Sequence, residues 1–429
     1  FETPVFHWFS KQDRKRQICR YAVEHCGATK RQAEAAYRQA ETAILSFRHQ
    51  LVEEGKRVIA DTGKAGGFAV VLAGRPYHTD PLINHDLSGM FTRRGIPVLT
   101  VDSLPGLEKA DLRRSRVEIT NDFHARMLSG AMVTAEQPCL EYVQIVSFGC
   151  GHDAILSDEI IRLLGEGSGK PPLILKVDES EAAGSLGIRV QSFIETVQLR
   201  RSAQAEQAAC RLPEPYAVKY REEDRKLRTV LVPNISAPVS TLLTALMDRE
   251  GIRAVRLPVG GVEQIRVGKK YTHNDICFPA QIVIGEALAA LKSGKYDGKE
   301  VAIATGKYIG DCRLTHYSAL LRKALDDAGF SDVPILTNDD ADFHNLHPGF
   351  RLSLLSALRI AYALPMIDIL EELLRKIRPY EKVSGSSDQA FGEAMDFVVD
   401  GLEQHGLSGA LRGFKKAIQR MNAIEYDRS

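Results

Sequence analysis

At 429 residues, 44% of them hydrophobic and 26% charged, the chain is too long for one core and has the composition of an ordinary globular protein of two or three domains. A net charge of +1 leaves no basic footprint for nucleic acid. No apolar run approaches the roughly 18–20 residues of a membrane span, and no signal-peptide pattern is visible. Seven cysteines, Cys19, Cys26, Cys139, Cys150, Cys210, Cys277 and Cys312, make an odd set with no CxxC pair. This argues against a disulfide framework or a zinc ribbon and for a reducing, cytoplasmic setting. The chain opens on Phe1 instead of Met, so a processed chain or a piece of a longer polypeptide is expected.

Residues 1–65 read as a polar helical segment, broken near Gly27. Cys19 and Cys26, seven apart, can share a helix face and read as ordinary thiols. From 66 to 205, strand and helix patterns alternate. Apolar runs at 68–73, 97–101, 142–147 and 173–177 predict buried parallel strands. Helical patterns are expected near 84–95, 117–136, 153–165 and 188–205. Residues 206–227, with Pro213, Pro215 and a charged run, read as a crossover linker. The alternation then restarts over 228–383. Strands are expected at 229–233, 254–257, 300–304 and 333–337, and helices at 238–250, 278–293, 313–329 and 351–377. A Gly/Ser patch at 384–387 opens a helical tail over 384–429. The fold class is therefore α/β, with two Rossmann-like, doubly wound parallel sheets and helical extensions at both ends.

Four stretches carry candidate chemistry. In Gly74-Arg75-Pro76-Tyr77-His78-Thr79-Asp80, a strand end presents Arg75 as a bidentate anion donor, with His78 and Asp80 to move protons or orient each other. In Ser147-Phe148-Gly149-Cys150-Gly151-His152-Asp153, Gly149 and Gly151 let the backbone of a cysteine turn come close to a ligand, and His152 is an alternative metal ligand. Around 176–193, Asp178, Glu179 and Arg189 are expected to form a structural ion-pair network. The stretch 273–313 holds Cys277 before Phe278-Pro279 and Cys312 after the apolar run 301–304. Proline in the first turn and Asn274 or Asp275 as caps predict a helix start beside Cys277, where the dipole favours a thiolate. Cys150, Cys277 and Cys312 all fall at strand ends or helix starts and can converge on one crevice. Cys139 and Cys210 lack that setting. His344 and His347 could line the crevice, although solvated loop histidines are the commoner case.

These residues resemble a known system. The segments GRPYHTDPLINH, LEYVQIVSFGCGHDAILSDEI, LKVDES, IRVQSFIET, NDICFPAQIVIGEAL, GDCR and HPGF are similar to the carboxyl-terminal portion of the large activase-related proteins of the 2-hydroxyacyl-CoA dehydratase system. The segment around Cys150 also resembles a cluster-bearing domain of the dehydratase subunits. The resemblance implies that Cys150, Cys277 and Cys312 ligate an iron–sulfur cluster, either 4Fe–4S or a double-cubane 8Fe–9S. Here Cys277 and Cys312 follow Cys150, whereas in those subunits two early cysteines precede the third. The glycine-rich phosphate loop of the ATP-driven half does not appear. The implied role is an electron-transfer component that receives low-potential electrons from an ATP-dependent activase domain or subunit. Its activity would be that of an ATP-coupled reductase or a dehydratase-like lyase component. Arg75, His78, His152 and His273 are candidates to orient an acyl-CoA or other small substrate or to move protons, and Gly149, Gly151 and Phe278 to contact the cofactor. No nucleic-acid or membrane partner is expected, and a homodimer is left open. The alternative is a metal-free or zinc-binding ligand or scaffold module of a larger activase-related protein.

Overall fold

The computed structural model describes residues 3–8, 10–119, 121–147, 149–177, 183–203, 214–234, 236–307, 310, 312–337 and 347–427. They form two compact units. Unit 1 comprises Phe1–Leu112, Asp122–Phe148 and Ile160–Arg211; unit 2 comprises Arg113–Asn121, Gly149–Glu159 and Leu212–Ser429.

Unit 1 is built on four parallel strands, β1 (Ala69–Ala73), β2 (Val98–Thr100), β3 (Leu140–Ser147) and β4 (Leu173–Val177), in the order β2-β1-β3-β4. All of β1 is buried, as a strand covered on both faces requires. On one face Val70, Leu72, Val143, Ile145 and Leu175 pack against Leu87, Met90 and Phe91 of α3 (Leu87–Thr92) and Val190, Ile194 and Val197 of α6 (Ala183–Ser202). On the other lies α4 (Asp122–Glu136), to whose Met127 carbonyl Tyr142 Oη donates at 2.8 Å. Lys170 is almost wholly buried, and its ammonium donates to the carbonyls of Thr134, Gln137 and Leu140, closing the end of α4. The expected polar amino-terminal segment is the hairpin α1 (Lys11–His25) and α2 (Lys30–Lys64), the second opened by a Thr29/Gln32 capping box.

Unit 2 repeats the winding. Its strands are β5 (Thr229–Val232), β6 (Ala254–Arg256), β7 (Val301–Ala304) and β8 (Ile335–Leu336), all parallel in the order β6-β5-β7-β8. All eight expected strands are present. Residues 214–227 include the fully buried Tyr220 and a short helix, α7 (Asp224–Leu227). Tyr220 donates its N–H to His347 Nδ1, accepts from Gly349 N–H, and meets Phe350 edge-on, which fastens the HPGF segment to the unit. The helices α8 (Ala237–Arg249), α12 (Leu354–Ile377) and α13 (Ser386–Asn422) enclose a separate core of Leu242, Leu246, Ile367, Leu370, Val398, Leu402 and Met421.

Two helical expectations need correction. The helix expected over 117–136 begins only at Asp122, because Ser115 Oγ accepts Val117 N–H and Glu159 accepts Arg116 N–H. The helix expected from 313 begins at Tyr317 as α11 (Tyr317–Asp327), after a 3-10 turn over Arg313–His316. Two helices were not expected, the short α7 within the expected linker and α9 (Val262–Tyr271). The latter packs on α10 (Phe278–Lys292) as a tight hairpin. At the crossing a Cβ on Gly268 would fall 1.8 Å from the Gln281 carbonyl oxygen, and one on Gly285 1.9 Å from that of Gln264.

Candidate functional site

The three candidate cysteines occupy equivalent positions in unit 2. Cys150 precedes α5 (Gly151–Ser168), and its carbonyl accepts Ala154 N–H at 3.1 Å. The residue before it, Gly149, sits at φ +68°, a left-handed conformation in which glycine bears no steric penalty. Cys277 is the N-cap of α10, with Pro279 in the first turn, and Cys312 is the N-cap of the turn Arg313–His316. Because α10 descends into β7, its start and the loop after β7 lie at the carboxyl end of the second sheet, where doubly wound folds place ligands. None of the three thiols is in a disulfide; Cys150 and Cys277 are half-buried and Cys312 is exposed.

Direct contacts link the three segments. Tyr317 Oη lies 3.1 Å from Cys277 Sγ. The Tyr317 hydroxyl is pushed well above its ordinary range by burial, and the Cys277 and Cys312 thiols push it the same way. Gly151, next to Cys150, faces Arg313, next to Cys312. A Cβ there would fall 2.3 Å from Arg313 Nη1, so glycine is what lets the guanidinium in. The rings of His152 and His316 meet edge-on with centroids 5.7 Å apart. Burial pushes His316 down to about 4, with His152 and Lys307 adding to the effect, so this imidazole is neutral at neutral pH. Lys307 pairs with Glu118. Among the described residues, no three or more His, Cys, Asp or Glu side chains gather tightly enough to hold a single metal ion.

His273 sits in the turn before α10, where its Nδ1 accepts Asp275 N–H at 3.1 Å. Near it the Asp158 carboxyl is pushed up by burial, while Lys323 and His273 pull it the other way. The Phe278 ring is half exposed, with Lys269 Nζ 5.9 Å from its centroid.

Arg75 and His78 belong to unit 1, at the carboxyl end of β1. Together with Thr79, Thr100, Phe123 and Arg126 they line a cavity of about 30 Å³, room for a water or two. His78 is buried. Its Nδ1 accepts Arg75 N–H, which leaves the neutral ring's proton on Nε2, 3.2 Å from Ser147 Oγ. Both ring nitrogens are thus engaged away from Asp80, whose carboxylate instead accepts Leu82 N–H. The expected His78–Asp80 partnership does not form. Arg126 is paired with Asp102, and Arg75 lies over the Phe123 ring. Asp178, Glu179, Cys210 and His344 lie outside the described residues. His347 is not a solvated loop histidine: it is buried and its Nδ1 accepts Tyr220 N–H. Arg189 Nη2 donates to the Ile174 carbonyl.

Tyr317, Arg313, His316 and Glu286 were not anticipated. Glu286, on α10, accepts N–H groups from the loops after β5 and β6.

Residues 1–104 match a family model described as the CoA enzyme activase uncharacterised domain. The match spans α1 to β2, includes Arg75 and His78, and stops before all three cysteines of the site. No curated protein and no solved structure matches the chain.

Proposed function

We propose that unit 2 holds an iron–sulfur cluster on Cys150, Cys277 and Cys312, and that the chain is an electron-transfer component working with an ATP-dependent activase. The observation that carries this reading is the placement of three cysteines, none in a disulfide, each at the start of a helical element of one unit. They are linked by the Cys277–Tyr317 contact and by Gly151 against Arg313. The donor chemistry fits such a group: a cluster accepts thiolates spaced more widely than the ligands of one ion, and helix starts favour sulfur's negative charge. When bound, the cluster supplies low-potential one-electron chemistry.

The protein's part is positioning. Pro279 fixes the start of α10 under Cys277, and the Tyr317 hydroxyl donates toward its sulfur. Arg313 brings positive charge beside Cys150, while the neutral His316 adds none. His152 and His273 are the histidines best placed in this unit to orient a substrate such as an acyl-CoA thioester. Arg75 remains the candidate anion donor of unit 1, and His78 supports it. The activase partnership is supported by the family match over the amino-terminal quarter of the chain.

Anaerobic purification followed by iron, sulfide and zinc analysis tests this reading. The expected result is brown protein with about four irons and matching sulfide. Cys277→Ser should lose the colour and iron while Cys26→Ser keeps both. A colourless wild type that cannot be reconstituted, or one holding zinc alone, refutes the assignment.

A further inference from the structure

One face of α12 is uncovered. Its inner positions, among them Ala363, Met366, Ile367 and Leu370, lie in the core with α8 and α13. Its outer positions from 354 to 365 are Leu354, Leu355, Ala357, Leu358, Ala361, Tyr362 and Pro365, and no charged side chain is exposed among them. Leu354 is 79% exposed, Leu358 46%, Tyr362 59% and, one turn beyond Pro365, Ile369 44%. Soluble proteins rarely leave so continuous an apolar surface bare. The spacing of Leu355, Leu358, Tyr362, Pro365 and Ile369 alternates three and four residues, the repeat of a helix that pairs along a seam.

We propose that this face is the interface between two copies of the chain, with the α12 helices antiparallel about a two-fold axis. The charges that bound the stripe select this occupant and this direction. Exposed Arg351 precedes it and exposed Asp368 flanks its far end, beside Ile369. An antiparallel pairing centred near residue 360 sets Leu358 against Tyr362 and Leu355 against Pro365 of the second copy. It also brings each Arg351 to the second copy's Asp368. A parallel pairing would instead stack Arg351 on Arg351 and Asp368 on Asp368. A surface that complements itself under a two-fold rotation is what an isologous dimer requires. One pair of helices is at the small end of interface sizes, so the dimer forms in a concentration-dependent way.

Sedimentation velocity on the full chain, from low to high micromolar concentration, tests this. Wild type should shift from monomer to dimer. Leu358→Glu buries two carboxylates at the axis and should abolish the shift; its thermal melt should match wild type because the position is exposed. Arg351→Glu and Asp368→Arg should each weaken association several-fold, and the double variant should recover most of the loss. A chain that stays monomeric throughout leaves the face to another partner and overturns the proposal. So does a dimer indifferent to Leu358→Glu. A double variant no better than the singles overturns the antiparallel arrangement.

Discussion

Replacing Glu286 by Ala should loosen the loops at the carboxyl edge of the second sheet. The carboxylate is 3% exposed. One oxygen accepts Asn234 N–H at 2.6 Å and Asn234 Nδ2–H at 3.2 Å; the other accepts Gly260 N–H at 2.6 Å. Asn234 follows β5 and Gly260 follows β6, so one side chain of α10 holds both loops beside the hairpin that carries Cys277. Truncation leaves two backbone donors without an acceptor. A hydrogen bond to a charged group contributes about 1.5–3 kcal/mol, so two give about 3–6 kcal/mol. Water entering the vacated space puts the expected loss near the lower end. Glu286→Gln keeps the shape but turns an amide N–H toward one of the donors, and should fall between Ala and wild type. The single tryptophan, Trp8, belongs to unit 1, so its fluorescence is the wrong probe. Urea unfolding followed by pulse proteolysis of unit 2, with hydrogen exchange resolved to segments 230–236 and 257–261, is the appropriate assay. An Ala variant within about 1 kcal/mol of wild type, with unchanged exchange in both segments, would refute the reasoning.

Acid should weaken unit 2 through its buried histidines. Burial pushes His347 down to about 4 from 6.5, so the folded state binds fewer protons than the unfolded chain between those values. Stability is fully present above about pH 6.5 and is lost as pH falls toward 4. The loss is about 3 kcal/mol, since each tenfold change in proton affinity is worth about 1.36 kcal/mol. His347→Gln, whose amide oxygen can still accept Tyr220 N–H, should flatten this acid limb in denaturant midpoints measured across the range; His316, pushed to a similar value, adds slope of the same sign. An unchanged limb would remove His347 from the account. Gly268→Ala should force α9 off α10 and cost about 1–3 kcal/mol or more. Gly392→Ala, on α13 with open space around it, should gain up to about 1 kcal/mol; equal thermal shifts for the two would mean that the helix crossing is not close.

The sheets were legible because buried parallel strands are unbroken apolar runs, as in Ala69–Ala73 and Val301–Ala304. The matching strand order of the two sheets was not, since no residue-by-residue repeat accompanies it. Helix starts slipped where distant partners decide them. Glu159, on another element, takes the amide of Arg116, and nothing local announces that. Helix α9 was missed because Gly268 reads as a breaker within a polar run. Its reason is the carbonyl of Gln281 across the crossing, visible only when α9 and α10 are considered as a pair. His78 and Asp80 read as partners because polar groups crowd a strand end; in the fold His78 meets Arg75 N–H and Ser147 Oγ, and Asp80 accepts Leu82 N–H.

The cysteines were legible for a different reason, and it bears on what they do. An N-cap ordinarily holds Ser, Thr, Asp or Asn, whose oxygen accepts a first-turn N–H and contributes about 1 kcal/mol. Ser10, Thr29 and Ser353 cap through their side chains, whereas Ser236 before α8 and Asp86 before α3 make no such bond. Cys277 and Cys312 occupy N-caps and make no such bond. On the proposed reading, the two cysteines forgo that local stability because their sulfurs are kept for the cluster. Cys277→Ser supplies the missing acceptor, so the variant should melt at a temperature equal to or slightly above that of the metal-free wild type while failing to retain iron. A purely structural cysteine would give the opposite pair: a Ser variant that loses stability, because its packing is disturbed, and an iron content that does not move. Thermal melts of metal-free protein beside iron analysis of anaerobic preparations separate the two, and a destabilised variant with wild-type iron would place the site elsewhere.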